Sequence, residues 1–417
     1  MSKTSQPSTV NLSVSQAQQQ IQAAMQPIAD AQQISLRSAL DRIASSDIIA
    51  PMNVPAFDNS AMDGYAFCAQ DLALNTQLNL VGSALAGHPY QASLQVGQAI
   101  RITTGAKIPE RCDTVIPQEL AVLIDANTLD MRNIVVRAGE HKRNCGEDLR
   151  MGEIAITKGC RLGPAQLGLL ASLGIAEVSV QRRLRVAIFS TGDELRSIDQ
   201  ALDGSSVYDS NRVTLHAMLT RFGAEVIDLG VLADNPAELE SALLNIAPQV
   251  DAIITSGGVA SGAADYTKQV MQTLGEITFW AINMRPGRPF AFGKIAGKLK
   301  DTYLFGLPGN PVAVMVSFYF FVRPALQKLS GAPISNIPQI NAIASQPISK
   351  KMGRTEFQRG ICKVNPQGQL EVSITEKQGS GILSSMSQAN CMVVLNETQA
   401  DIQAGDTVKL VLFEGLI

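Results

Sequence analysis

The chain has 417 residues, 46% hydrophobic and 17% charged, and a formal net charge of −3. Such a balance belongs to globular proteins with large cores, and the length to about three domains at roughly 150 residues each. It argues against any global attraction to nucleic acid. Six scattered cysteines, with no Cys-x-x-Cys pair, argue against a disulfide frame or a zinc site. The longest apolar run, residues 312–322, is shorter than the ~18 residues of a membrane span, and the polar start carries no signal segment. The expectation is a cytoplasmic chain with neither membrane nor nucleic acid as partner.

Residues 1–12 read as a disordered leader. Ser13 and Gln16 have the spacing of a capping box, and Ile21, Met25 and Ile28 share one face of the helix that follows. Leu36, Leu40 and Ile43 predict a second helix from Ser35. Residues 51–66 fit no regular period and read as an ordered loop, where function tends to concentrate. Its Asp63-Gly64 pair is equally an ordinary turn dipeptide.

Short runs at 78–81, 99–102, 114–116 and 134–136 predict a β-rich module. One of them ends in Thr104-Gly105, a turn whose hydroxyl and N–H groups can hold an anion. Residues 137–153 carry dense charge and read as a solvated face, though Cys145-Gly-Glu-Asp148 would suit the rim of a site. Residues 164–173 return to a helical period.

From Arg185 strands and helices alternate. Strands are predicted at 186–191, 226–229 and 251–255. Asp209 opens one helix that Gly223 closes, and Asp234-Asn-Pro236 caps another. Ligands of such sheets lie beyond the carboxyl ends of the strands. Three acids, Glu194, Asp234 and Asp265, follow strand ends. Ser256-Gly257-Gly258 is a glycine turn before a helix, suited to a phosphate or oxyanion, although a lone glycine turn is a weak signal. Arg285 and Arg288 flank a Pro-Gly turn and can clamp an anion. Pro308 and Pro311 stiffen the loop before an apolar helix. After residue 333 the pattern is β again, with no evident chemistry.

Carboxylates together with phosphate oxygens are what Mg²⁺ takes as ligands. From the residues alone the chain is a Mg²⁺-assisted enzyme acting on a phosphorylated or adenylylated small molecule. The three histidines do not cluster, and no Ser-His pair is evident.

Several segments together resemble the molybdopterin molybdenumtransferases, the bacterial MoeA proteins and the E domain of gephyrin. They are Phe57-Asp-Asn-Ser-Ala-Met-Asp-Gly-Tyr-Ala66, Arg101-Ile-Thr-Thr-Gly-Ala106, Gly146-Glu-Asp148, Ser190-Thr-Gly-Asp-Glu-Leu195, Tyr208-Asp-Ser-Asn-Arg212, Ser256-Gly-Gly-Val, Ala264-Asp-Tyr-Thr-Lys268 and Gly306-Leu-Pro-Gly-Asn-Pro311. The resemblance runs from about residue 13 to the C-terminus.

It implies a multidomain α/β plus β chain. A helical N-terminal domain (13–50 and 146–182) would carry a β-rich insertion (51–145). A three-layer α/β domain with a mostly parallel sheet (183–332) and a C-terminal β-barrel (333–417) would follow. It implies a homodimer whose cleft lies between the α/β domain of one subunit and the insertion of the other. The implied reaction inserts molybdate into adenylylated molybdopterin, with Mg²⁺, and releases AMP. Transient contacts with the upstream adenylyltransferase and with downstream cofactor-accepting proteins are also implied. By motif position Asp63, Thr104, Glu194, Asp234 and Asp265 would be catalytic, with the last three acids on the metal. Asp148, Ser256, Gly257, Gly258, Arg285, Arg288, Pro308 and Pro311 would bind substrate. The competing readings are a molybdopterin adenylyltransferase and a non-catalytic pterin-binding scaffold. The sequence departs from the family where arginines replace lysines at 285 and 288, where Ala281 replaces a basic residue, and where the glycine turn runs on as Val-Ala-Ser-Gly.

Overall fold

The computed structural model describes residues 10–233, 235–258, 266–297, 300–334 and 337–414. The chain divides into two compact units, Met1–Gln32 with Gln181–Ile417, and Gln33–Val180. The architecture is multidomain α/β plus β.

The first unit opens with β1 (Val10–Leu12) and α1 (Val14–Ala24). The capping box is present. Gln16 N–H donates to Ser13 Oγ at 3.2 Å, and Ser13 N–H donates to Gln16 Oε1 at 2.9 Å. Two expectations change here. Residues 10–12 are a sheet strand rather than part of a disordered leader, because their backbone groups find partners along a sheet edge. Helix α1 packs Ala17 and Ile21, with Met25 just past its end, into the core of the α/β sheet, where its apolar face finds more surface to bury than a short helical domain offers.

The second unit holds β2 (Asn59–Ser60), β3 (Gly64–Phe67), β4 (Gln77–Ala84), β5 (Gln98–Ile102), β6 (Thr114–Pro117), β7 (Val122–Asp125), β8 (Thr128–Asp130), β9 (Lys142–Arg143) and α2 (Pro164–Ser172). Six of these strands form one sheet in the order β6-β3-β5-β4-β8-β7, and β2 pairs with β9. The helix expected from Ser35 is a single 3-10 turn, Leu36–Ser38. Asp41 takes the left-handed conformation at φ 61°, which an α-helix cannot continue through, and Leu40 stays 49% exposed. The expected strand at 134–136 is absent. Ile134 N–H bonds back to Met131 O at 3.1 Å, closing a turn.

The first unit resumes with β10 (Arg185–Thr191), α3 (Ser210–Phe222), β11 (Glu225–Leu232), α4 (Pro236–Ile246), β12 (Ala252–Ser256), α5 (Tyr266–Leu274), β13 (Glu276–Ile282), β14 (Met284–Arg285), β15 (Pro289–Ile295) and β16 (Thr302–Leu307). The seven-stranded sheet runs β1-β13-β15-β16-β12-β10-β11. Four of its six neighbouring pairs are parallel, and only β13–β15 and β15–β16 are antiparallel. Those two follow short returns rather than helical crossovers. Helices α1 and α3 cover one face together with α6 (Pro311–Ser317) and α7 (Arg323–Leu329). Helices α4 and α5 cover the other face. The span Pro311–Leu329 is long and apolar enough to cross a membrane, but 89% of it is buried inside the protein. It is a core helix of this sheet.

The unit ends in β17 (Ile340–Ala344), β18 (Thr355–Val364), β19 (Leu370–Ile374), α8 (Ser384–Gln388), β20 (Cys391–Leu395) and β21 (Thr407–Leu412). Five strands close into a barrel, β18-β19-β17-β21-β20 and back to β18. The two-residue β14 adds itself in parallel to β18, pairing Arg285 with Glu356. All six cysteines are free thiols.

Gly64 marks the tightest approach in the second unit. A β-carbon there would lie 1.9 Å from Ile116 O on the neighbouring strand β6. Gly64→Ala therefore forces β3 and β6 apart, and is expected to destabilise the second unit by about 2–3 kcal/mol. A lowered first transition in differential scanning calorimetry checks this. An unchanged melt contradicts it.

Candidate functional site

In the second unit the structure brings Asp63 and Thr104 together. Thr104 donates to Asp63 Oδ1 twice, from its backbone N–H and from its hydroxyl, both at 2.7 Å. These two donors, backbone first, hold the Asp63 carboxyl below the ordinary carboxylate range, and Arg101 adds to the effect. Asp63 is thus a fixed anion at neutral pH rather than a proton donor.

The loop around it is tied down from several sides. Gly105 N–H reaches Ser60 O at 2.8 Å, and Ser60 N–H reaches Ala106 O at 3.0 Å. Lys142 pairs with Asp58 at 2.6 Å, and Cys145 N–H donates to Asp58 Oδ1 at 2.8 Å. Asp148 enters from a separate turn whose N–H groups bond to Val54 O. Among the described residues its carboxylate makes no bond to Asp63 or Thr104.

In the first unit the carboxyl ends of β10, β12 and β16 meet. Gly257 turns at φ 91° and its N–H donates to Leu307 O at 3.1 Å. A β-carbon at Gly257 would lie 2.8 Å from Thr191 O, so only glycine fits between these strand ends. Gly258 follows, also at positive φ. Ser256 is buried and is bonded by Asn211 Nδ2 at 2.8 Å. The same Nδ2 donates to Gly309 O at 2.6 Å. Ser256, Gly257 and Gly258 are thereby held beside the segment from Pro308 to Pro311, and Pro311 starts α6. Glu194 is exposed just past β10, and among the described residues its carboxylate has no partner. Asp234 and Asp265 lie outside the described residues. The cap of α4 is Asn235, whose Oδ1 accepts from Ala237 N–H at 3.0 Å.

The Pro-Gly turn lies against the barrel. Arg285 and Arg288 are both exposed, and among the described residues neither pairs with a carboxylate. A cavity of about 200 Å³ is lined by Arg285, Pro286, Ser349, Glu356, Gln358 and Arg359. Arg359 is 1% exposed. Its Nε donates to Ser385 Oγ at 3.0 Å, and its Nη2 donates to Gly379 O at 2.9 Å and Lys377 O at 3.2 Å. Among the described residues no carboxylate pairs with its charge. Glu356 in the same cavity is already bonded by Arg354 at 2.9 Å and by Gln358 at 3.1 Å. Burial, and then repulsion from Arg285, pull the Arg359 guanidinium down to about 10. Uncompensated cations around one small cavity make a site for an anion.

Sequence models of three families match consecutive parts of the chain. They are the MoeA N-terminal region (domain I and II) over residues 12–174, a probable molybdopterin binding domain over 187–328, and the MoeA C-terminal region (domain IV) over 341–413. A molybdopterin molybdenumtransferase of Haemophilus influenzae is 43% identical over 385 residues, which is 92% of this chain and 94% of that protein. The chain belongs to the molybdopterin molybdenumtransferase family. Gephyrin of Dictyostelium discoideum is 32% identical over 91% of this chain and 59% of its own length. The crystal structure of the molybdopterin biosynthesis MoeA protein of Pyrococcus horikoshii superposes with a TM-score of 0.80 at 27% identity, covering 96% of this chain and 100% of that one.

Two features of this family member escaped the sequence reading. Arg359 sits in a barrel that showed no chemistry in one dimension. The available signal was an arginine two residues from Phe357, on the same face of one strand. Asn211, in the Asp-Ser-Asn motif, reaches two loops that lie 45 and 98 residues further along. Its motif was visible, but its partners were not.

Thr104→Val removes the hydroxyl donor and keeps the backbone donor. The Asp63 carboxyl should then titrate at higher pH than in the wild type, moving part of the way back to the ordinary carboxylate range. Carboxyl ¹³C NMR across pH 2–6 reads this, and an unshifted titration contradicts it.

Proposed function

We propose that this chain inserts molybdenum from molybdate into adenylylated molybdopterin, with Mg²⁺-dependent release of AMP. The observation that carries the reading is a cavity lined by two guanidiniums, Arg285 and Arg359, neither of them paired with a carboxylate among the described residues, with Arg288 on the same Pro-Gly turn. Molybdate is a compact dianion, and planar donors around a small cavity suit its oxygens. Arginine at 285 and 288 keeps the charge that lysines supply in relatives and adds forked donors.

In this reading the strand ends of the first unit receive the pterin substrate. Ser256 and the glycine turn lie against its anionic groups, and the segment from Pro308 to Pro311 shapes the wall. Asp63, ionised and locked by Thr104, orients water or a metal-bound group rather than delivering a proton. Asp148 is placed with the substrate-binding groups by its motif alone.

Mg²⁺ takes most of its ligands from water and phosphate oxygens and needs only one or two carboxylates. Among the described residues no group of three or more His, Cys, Asp or Glu could hold a metal ion. Glu194, unpartnered at a strand end, is the described carboxylate that fits, with Asp234 and Asp265 as the other proposed donors. When bound, the ion would neutralise phosphate charge and polarise the phosphoanhydride. The reading includes a homodimer, delivery from an adenylyltransferase, and cofactor-accepting proteins downstream.

Purified protein given adenylylated molybdopterin, molybdate and Mg²⁺ should release AMP, and omitting either ion should stop it. Release that ignores molybdate, or no release at all, rejects the reading. ATP-dependent adenylylation of molybdopterin by this chain alone favours the adenylyltransferase instead. A ligand that binds the folded state raises Tm. Molybdate should therefore raise the Tm of the wild type, and Arg359→Met should lose that shift. If the shift survives the substitution, the arginine cavity is not where molybdate binds.

A further inference from the structure

We infer that Asn211 is a positioning residue that fixes the spacing between the Ser256 glycine turn and the Gly309 loop. The inference rests on the substrate reading above. One Nδ2 group spans the two segments, at 2.8 Å to Ser256 Oγ and 2.6 Å to Gly309 O. Each segment follows a different strand, β12 and β16, and each carries residues proposed to bind the substrate. No other side chain among the described residues bonds to both.

The orientation of the amide is forced. Gly309 O can only accept, so turning the amide over would place oxygen against oxygen. Among the described residues Asn211 Oδ1 is buried with no hydrogen-bond partner. Buried polar atoms seldom go unpartnered, and when they do the reason is often functional. The fold accepts an orphan acceptor here to keep both donor contacts in place.

The helix start that carries Asn211 is held rigidly. Asp209 caps α3 by accepting from Arg212 N–H at 3.1 Å. Arg212 then bonds Asp209 at 3.1 Å, Asp228 at 2.7 Å and Ser197 Oγ at 3.1 Å. A side chain on so fixed a base can set a distance between two loops, which is what precise binding geometry requires. Asn211 need not touch the substrate for this.

The test uses the whole chain and three variants. Asn211→Ala should lower kcat/KM for AMP release roughly 10- to 100-fold, mostly through a higher KM for the pterin substrate, with an unchanged circular dichroism spectrum. Hydrogen exchange at the amides of residues 307–312 should speed up. Ser256→Ala keeps the bond to Gly309, so exchange at those amides should speed up less than in Asn211→Ala. Asn211→Asp has the same shape but no donor when ionised. It regains one O–H donor when protonated, so its kcat/KM relative to wild type should climb as pH falls, which a packing role alone would not produce. Wild-type activity with no loss in Asn211→Ala overturns this inference and leaves the substrate reading standing. A flat Asn211→Asp ratio across pH also overturns it. If Asn211→Ala fails to fold, the Asn211→Asp pH series decides. A wild type that releases no AMP removes the substrate reading itself.

Discussion

A guanidinium almost fully out of water, bonded among the described residues only to neutral oxygens, is the constraint on which the proposed anion site depends. Arg359 is held by a hydroxyl and two carbonyls, and Arg285 pushes against it across a small cavity. Burying a charge without a counter-charge is costly, since the hydrogen bonds recover only part of the lost hydration. Such an arrangement is lowest in energy when an anion completes it. The barrel is therefore more than a terminal appendage. It contributes Arg359 to the cavity, while the Pro-Gly turn, added to the barrel through β14, contributes Arg285.

The strand ends of the α/β sheet work by a different principle. Their groups are mostly backbone and hydroxyl, and their value lies in fixed distance rather than charge. Gly257 lets three strand ends come close, Asn211 bridges two of the loops, and Val312 N–H bonds to Ser380 O in the loop that Arg359 grips at Gly379. The helix start at Pro311 is thus connected to the arginine cavity by a short chain of hydrogen bonds.

The second unit shows local pre-organisation. Asp63 is exposed, yet it is held by two donors from one residue and backed by a loop that β2, β9 and the Lys142–Asp58 pair secure. Its low pKa follows from those donors and not from burial. The carboxylate is ionised at neutral pH, so in the proposed reaction its contribution is electrostatic and geometric.

Much of this was legible in one dimension because it is local. The capping box at Ser13, the helix from Asp209 to Gly223, the strand at 186–191 and the glycine turn after Ser256 each follow from neighbouring residues and their periods. The order of motifs pointed to the family before any coordinates. The sequence misled at Ser35, where helical spacing lost to a left-handed Asp41, and at residues 10–12, where a sheet edge ordered what looked like a tail. Contacts between distant segments were invisible. Nothing in the barrel's strand pattern says that Arg359 shares a cavity with Arg285, and nothing in the Asp-Ser-Asn motif says that its amide holds Ser256 to Gly309. Those pairings depend on how strands 45 to 100 residues apart are laid side by side, and that is decided by burial of the whole apolar sheet rather than by the residues that use it.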